Sequence, residues 1–213
     1  MHPILEQFIT GMKSTTLLEY IAVFTGIISV WFSKKENILV YPVGLINTGI
    51  YFYLSFKYHL IGEASVNLYY TIMSIYGWWL WTRKDNQQHK LVQISFSTRK
   101  EWIVEIVFFS CCYFAVYFPL VYLKKLFAEG AIPWADAFAS ATAYTGMWLM
   151  ARKKVESWYW WIATNIASIP LYFVKGLVFT SVLFFMLLVL AFFGLAEWKV
   201  KARKAATAGG MNA

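Results

Sequence analysis

Asn47 and Asn165 each stand inside an apolar run, where a carboxamide can both donate to and accept from a neutral polar ligand. Asn67, Tyr70, Thr71, Ser74, Trp78 and Trp81 recur at helical spacing, which puts most of them along one polar and aromatic stripe. Trp158, Trp161, Asn165 and Ser168 make a second stripe, with Trp160 and Tyr172 turned toward other faces. Indole faces beside amides suit a flat, polar, cationic ring, which gains about 0.5–2 kcal/mol from cation–π contact. The competing use of such residues is structural. Asn side chains also bond helix to helix, and the span-end residues Trp31, Trp78, Trp79, Trp81, Trp102, Trp134 and Trp198 read as an interfacial belt.

Reactive chemistry is poorly represented. His2, His59 and His89 fall in loops or at the terminus without metal-ligand spacing, and Cys111 and Cys112 adjoin in an apolar run with no second pair, so they read as helix packing. No Gly-rich phosphate loop and no Gly-x-Ser-x-Gly elbow occurs, and no cofactor is expected. The acids nearest the apolar runs, Glu105 and Asp136, lie close to span ends, where a carboxylate reaches water.

The elements that must position these side chains follow from composition. Of 213 residues, 60% are hydrophobic, 20% aromatic and only 14% charged, against about 25% charged in a soluble domain, which indicates a membrane protein. Apolar runs at 17–33, 38–56, 65–82, 102–123, 135–151, 158–174 and 177–197 each approach the length of a bilayer core, giving seven expected spans. Residues 1–16 lack the apolar core of a signal peptide and read as an extension, possible as a short interfacial helix. The net charge of +8 comes from residues between the runs, so the positive-inside effect explains it and nucleic acid is not expected as a partner. Loops after odd-numbered spans hold fourteen basic residues against five on the other face, which puts the C-terminus in the cytoplasm and the N-terminus outside.

Sliding the chain against itself by 118 positions aligns Tyr41 with Tyr159, Asn47 with Asn165 and Lys57 with Lys175. One residue less aligns Gly77 with Gly194 and Trp81 with Trp198. The expected organisation is a three-span repeat at 17–82, a loop at 83–101, a connector span and loop at 102–134, a second repeat at 135–198 and a basic tail at 199–213. A single connector returns the chain across the bilayer, so the two triplets run in the same direction, as parallel repeats of transporters do.

Three segments carry a family resemblance: Ser74-Ile75-Tyr76-Gly77-Trp78-Trp79-Leu80-Trp81, then Lys154-Val155-Glu156-Ser157-Trp158, then Ile169-Pro170-Leu171-Tyr172 with Lys175-Gly176-Leu177. In these the chain resembles the PnuC family of bacterial vitamin transporters, from about residue 20 to residue 200. The resemblance implies an all-α fold of seven membrane helices arranged three plus one plus three, similar to SWEET sugar transporters, in a homotrimer. It implies facilitated import of nicotinamide riboside across the inner membrane, with trapping by a cytoplasmic kinase for NAD salvage; relatives carry thiamine or riboflavin. It also implies a binding site in the second, third and sixth spans, which corresponds here to Asn47, Asn67, Tyr70, Ser74, Trp158, Trp161 and Asn165, and Ser168 lies on the same stripe. The family's Glu-Asn-Trp reads Glu156-Ser157-Trp158 here, and Asn67 stands where some members use Gln. The rival from another class is a membrane scaffold subunit, in which the same Trp and Asn residues serve packing alone.

Overall fold

The computed structural model describes residues 3–57, 61–84, 91–127 and 131–210, with the side chains of 3, 61–63, 123–127 and 208–210 left aside. The three histidines lie outside the described residues. The described chain is helical: α1 Pro3–Ser14, α2 Leu17–Lys34, α3 Val40–Lys57, α4 Ile61–Thr82, α5 Arg99–Phe127, α6 Pro133–Ala151, α7 Ser157–Val174 and α8 Val178–Gly210. Helices α2 to α8 lie on the seven apolar runs. The main difference is α8, which continues as helix through the basic tail because Lys, Ala, Glu and Arg are strong helix formers. By length and apolarity alone, α2, α5 and α8 qualify as membrane spans. Helices α3, α4, α6 and α7 are poorer in aliphatic residues because they carry the Asn, Ser, Thr, Tyr and Trp side chains on which the functional reading rests.

Neighbours in sequence pack in space: α2 on α3, α3 on α4, α6 on α7 and α7 on α8. The two groups meet through α2 with α8 and α4 with α6, while α5 rests on α6 and α1 on the start of α8. Thr16 starts α2 with a capping box, its hydroxyl accepting from the Glu19 N–H and the Glu19 carboxylate accepting from the Thr16 N–H.

The helix bounds revise the internal alignment. Helices α3 and α7 begin and end 117 residues apart, α2 and α6 end at the same spacing, and so do the starts of α4 and α8. A single register of 117 therefore replaces 118 in the first two helices; it equates Asn47 with Thr164, Thr48 with Asn165 and Tyr41 with Trp158. The turns set this register. Glu36 and Lys153 both adopt left-handed backbone (φ 58° and 55°), and each closes a helix end by a Schellman pair of bonds. In the first, the Glu36 N–H donates to Ser33 O and the Asn37 N–H to Phe32 O; in the second, the Lys153 N–H donates to Met150 O and the Lys154 N–H to Leu149 O.

Equivalent residues also touch one another. Lys153 Nζ meets Glu36 Oε1 at 2.6 Å, the Ser33 hydroxyl donates to the Met150 sulfur at 2.8 Å, and the Trp81 and Trp198 ring centroids lie 6.3 Å apart. Trp81 Nε1 donates to Ala151 O at 2.9 Å, and Trp198 Nε1 donates to Ser33 O and Lys34 O at 3.1 and 3.2 Å. Each indole thus satisfies carbonyls at the end of a helix in the other group, where intrahelical donors run out. Trp81 and Trp198 are buried, not interfacial as their span-end positions suggest, because these carbonyls draw them inward. Tyr41 and Trp158 pack edge-on against Trp81 and Trp198, over Gly77 and Gly194, where a methyl group would overlap either ring.

Trp81→Phe and Trp198→Phe should each lower stability by about 1–3 kcal/mol, because the first removes the indole donor to Ala151 O and the second the indole donor to Lys34 O. Thermal unfolding in detergent checks this, with the two losses expected to be alike. Glu36→Gln should cost about as much, since the buried Lys153 loses the charge of the carboxylate 2.6 Å from its Nζ.

Candidate functional site

The eight expected site residues separate into those that close helix contacts and those that remain open. Asn47 belongs to the first group: its Nδ2 donates to Ala22 O at 2.6 Å, and its carboxamide fills the space over Gly26 on α2. The equivalent Thr164 does the same work on α7, its hydroxyl at 2.9 Å from both Thr142 Oγ1 and Trp160 O. Trp158 is also structural in position, 1% exposed within the helix-end core beside Trp198 and Gly194.

Trp161 and Tyr70 form the open group's aromatic part. Trp161 lies against Gly146 of α6, whose missing side chain leaves room for the indole at 3.2 to 3.3 Å from where a Cβ would stand. Its ring lies 6.2 Å from that of Tyr70 on α4, so these two rings bring the two helix groups together. Tyr144 of α6 completes the cluster, 4.7 Å from Tyr69 and 6.5 Å from Tyr70, and its backbone oxygen accepts from the Tyr69 hydroxyl at 3.0 Å. The sequence reading missed Tyr69 and Tyr144; the signal present was a tyrosine in mid-run beside Gly146, one turn from the small residues that let α6 pack closely.

Three polar side chains accompany this pair. Ser74 on α4 and Asn165 and Ser168 on α7 are 3%, 4% and 2% exposed, and none makes a side-chain hydrogen bond to another described residue. Interior polar groups are normally bonded, so these three side chains beside two aromatic rings make this region the candidate ligand site. The 117 register explains why Asn165 differs from Asn47. Asn165 occupies the position of Thr48, whose hydroxyl receives a bond from Thr71 at 3.1 Å, whereas α8 offers Leu188 where α4 has Thr71. Asn67 is partly buried one turn below Thr71, and its backbone oxygen accepts from the Thr71 hydroxyl at 2.9 Å. The register also sets Trp161 opposite Gly44, so one group supplies a ring where the other supplies space.

The two acids near the membrane have defined partners. Asp136 pairs with Lys175 at 2.7 Å and accepts from the Ile132 N–H at 2.6 Å. Glu105 does not reach water as its position suggests: it is fully buried and accepts from Trp160 Nε1 at 3.1 Å, because the 91–98 segment folds over it onto the α6–α7 turn.

Comparison with known proteins bears on the whole chain. Residues 16–200 match the family model described as nicotinamide mononucleotide transporter. The chain is 23% identical over 180 residues to the riboflavin/roseoflavin transporter RibM of Streptomyces davaonensis, covering 84% of this chain and 83% of that protein. It is 21% identical over 217 residues to the nicotinamide riboside transporter PnuC of Escherichia coli, covering 91% and 90%. A crystal structure of the vitamin B3 transporter PnuC superposes with a TM-score of 0.69 at 24% identity, over 94% of this chain and 88% of that one, which shows a shared fold. With the family model matched over most of its length, the chain belongs to the PnuC family of membrane transporters and is not an enzyme.

Proposed function

We propose that this protein is a facilitator that imports nicotinamide riboside across the bacterial inner membrane. The carrying observation is the aromatic pair Tyr70 and Trp161 with the unbonded side chains of Ser74, Asn165 and Ser168. The indole and phenol rings stack the pyridinium, and the amide and hydroxyls bond the carboxamide and ribose. Asn67 on the same stripe contributes to the polar wall, while Asn47 and Trp158 shape the site through packing. Phosphorylated nucleotides are excluded, because α3, α4, α6 and α7 carry no Arg or Lys at mid-helix to pair with phosphate.

The helices form two parallel triplets, α2 to α4 and α6 to α8, joined by the connector α5, in the three plus one plus three order of SWEET-like transporters. The common 117 spacing and the reciprocal indole bonds support that arrangement. The basic-residue count supports an outside N-terminus and a cytoplasmic C-terminus. The triplets rock about the site, and the family resemblance adds a homotrimer and a cytoplasmic kinase that traps the vitamin for NAD salvage. A second reading, the same fold carrying riboflavin, is favoured by the likeness to RibM over most of both chains. Thiamine is a third flat heterocycle of the kind this site suits.

Titrating intrinsic tryptophan fluorescence of the detergent-purified protein with nicotinamide riboside, its mononucleotide, thiamine and riboflavin tests the ligand. Saturable quenching by the riboside is expected, with the mononucleotide at least about tenfold weaker. Quenching by riboflavin or thiamine instead overturns the ligand and keeps the fold. Trp161→Ala should weaken riboside binding about tenfold to thirtyfold, measured by calorimetry, the equivalent of about 1.4–2 kcal/mol. Asn165→Ala should raise Kd up to about tenfold with little change in melting temperature, whereas Asn47→Ala should lower melting temperature and leave Kd nearly unchanged.

A further inference from the structure

Lys34 ends α2 with its ammonium set against two aromatic rings, 4.6 Å from the Trp31 centroid and 5.2 Å from that of Phe193 on α8. Lys35 Nζ stands 5.8 Å from the same Trp31 ring, and both rings are exposed on the flank of the bundle. The carboxylates at this end are already shared. Glu197 lies 3.6 Å from Lys35 and 3.4 Å from Lys201, and Glu36 lies 2.6 Å from Lys153 and 3.9 Å from Lys201. Each answers two lysines, so among the described residues Lys34 has no ion pair, and the seam between α2 and α8 carries an excess of positive charge. A ring face attracts an ammonium without neutralising it, which leaves N–H donors of Lys34 for an anion.

The place of this cation in the fold selects the anion. Helices α2 and α8 are both long and apolar enough to cross a membrane, and both turn basic at this level, at Lys34-Lys35 and from Lys199 onward. The boundary between hydrocarbon and headgroups therefore runs through Trp31 and Lys34. The two helices run side by side in the same direction, since the Tyr20 and Phe179 rings meet near their starts (6.3 Å) and Lys34 meets Phe193 toward their other ends. From Phe193 back toward the start of α8, Val189, Phe185 and Val182 follow at helical spacing, all exposed, and Ile28 and Phe24 follow Trp31 on α2 in the same way. From Val182 to Phe193 the apolar strip spans about 16 Å at the helical rise, the depth of one leaflet of a core about 30 Å thick. A free phosphate has no use for that strip, whereas a phospholipid matches both the cation and the strip. A zwitterionic headgroup would bring its own cation beside Lys34 and Lys35, so the pattern favours a headgroup with net negative charge.

We propose that the α2–α8 seam binds one anionic phospholipid, its phosphate on Lys34 with Lys35 beside it and an acyl chain along the exposed strip. Because Lys34 belongs to α2 and Phe193 to α8, the lipid sits across the junction of the two helix groups and stabilises their contact.

Thermal unfolding of the full-length protein, delipidated in dodecyl maltoside and titrated with phosphatidylglycerol, with phosphatidylcholine of the same chains or with inorganic phosphate, tests the proposal. Phosphatidylglycerol is expected to raise the melting temperature by a few degrees, saturably, and the other two far less. Lys34→Gln should raise the lipid fraction needed for half of that shift about fivefold. It leaves in place the Lys34 carbonyl that accepts from Trp198 Nε1. Lys34→Arg should keep the shift, since a guanidinium also stacks on rings and bonds phosphate. Lys199→Gln, which removes a cation 5.1 Å from the Tyr159 ring of α7, should leave the titration unchanged. No shift with phosphatidylglycerol, an equal shift with phosphatidylcholine or with inorganic phosphate, or equal losses in Lys34→Gln and Lys199→Gln would overturn the site. Should Lys34→Gln fail to fold, Lys35→Glu decides, since that half-exposed side chain then sets a carboxylate beside the headgroup; an undiminished shift there counts against the lipid.

Discussion

The carbonyls at the ends of α2 and α6 constrain the rest of the molecule. A helix leaves its last acceptors without intrahelical donors, and within a bilayer no water can serve them. Here each end is closed by an indole N–H from the other helix group, Trp198 for α2 and Trp81 for α6. Both rings must then be buried side by side, which requires Gly77 and Gly194 to admit Tyr41 and Trp158 beneath them. The left-handed turns follow from the same demand. Glu36 and Lys153 occupy a conformation that costs an L-residue about 1–2 kcal/mol, and their ion pair, with Lys153 Nζ at 4.4 Å from the Trp81 ring centroid, offsets that cost.

This tight end contrasts with the region around Tyr70 and Trp161. There the side chains of Ser74, Asn165 and Ser168, on residues at most 4% exposed, make no hydrogen bond to another described residue. One end of the bundle is fixed by reciprocal indole bonds, with the Tyr41 hydroxyl and Trp158 Nε1 left unbonded in its core, and the middle sets unbonded side chains beside aromatic faces. The departure from symmetry lies at the proposed site. Positions that the 117 register equates hold like partners at the tight end but unlike ones at the site, Trp161 against Gly44 and Asn165 against Thr48. An asymmetric vitamin, with a ring at one end and hydroxyls at the other, matches such an asymmetric lining.

Much of the helix layout was legible in sequence because apolar runs separated by charged turns leave few alternatives in a membrane. The pairing of Gly77 with Gly194 and of Trp81 with Trp198 was legible for a physical reason: a ring pressed on backbone tolerates only glycine there. The first two helices misled the alignment. Lys175 lies one residue beyond α7, whereas Lys57 still belongs to α3, so matching the two lysines inserts a residue that the helices do not contain. That slip made Asn47 and Asn165 look equivalent when Asn47 bonds to a carbonyl of α2 and Asn165 makes no side-chain hydrogen bond to another described residue. Trp158 and Trp161 share a stripe in sequence, and only the depth of Gly194 and Gly146 separates a core ring from a site ring. The burial of Glu105 depends on contacts about fifty residues along the chain, beyond the reach of local patterning.

The most direct test of the central claim is a cryo-electron microscopy map of the protein with saturating nicotinamide riboside. The expected result is ring density in contact with Trp161 and Tyr70, and a hydrogen bond from the ligand to the Asn165 carboxamide. Density against Trp158, or at any place where Asn165 and Trp161 are untouched, would contradict it.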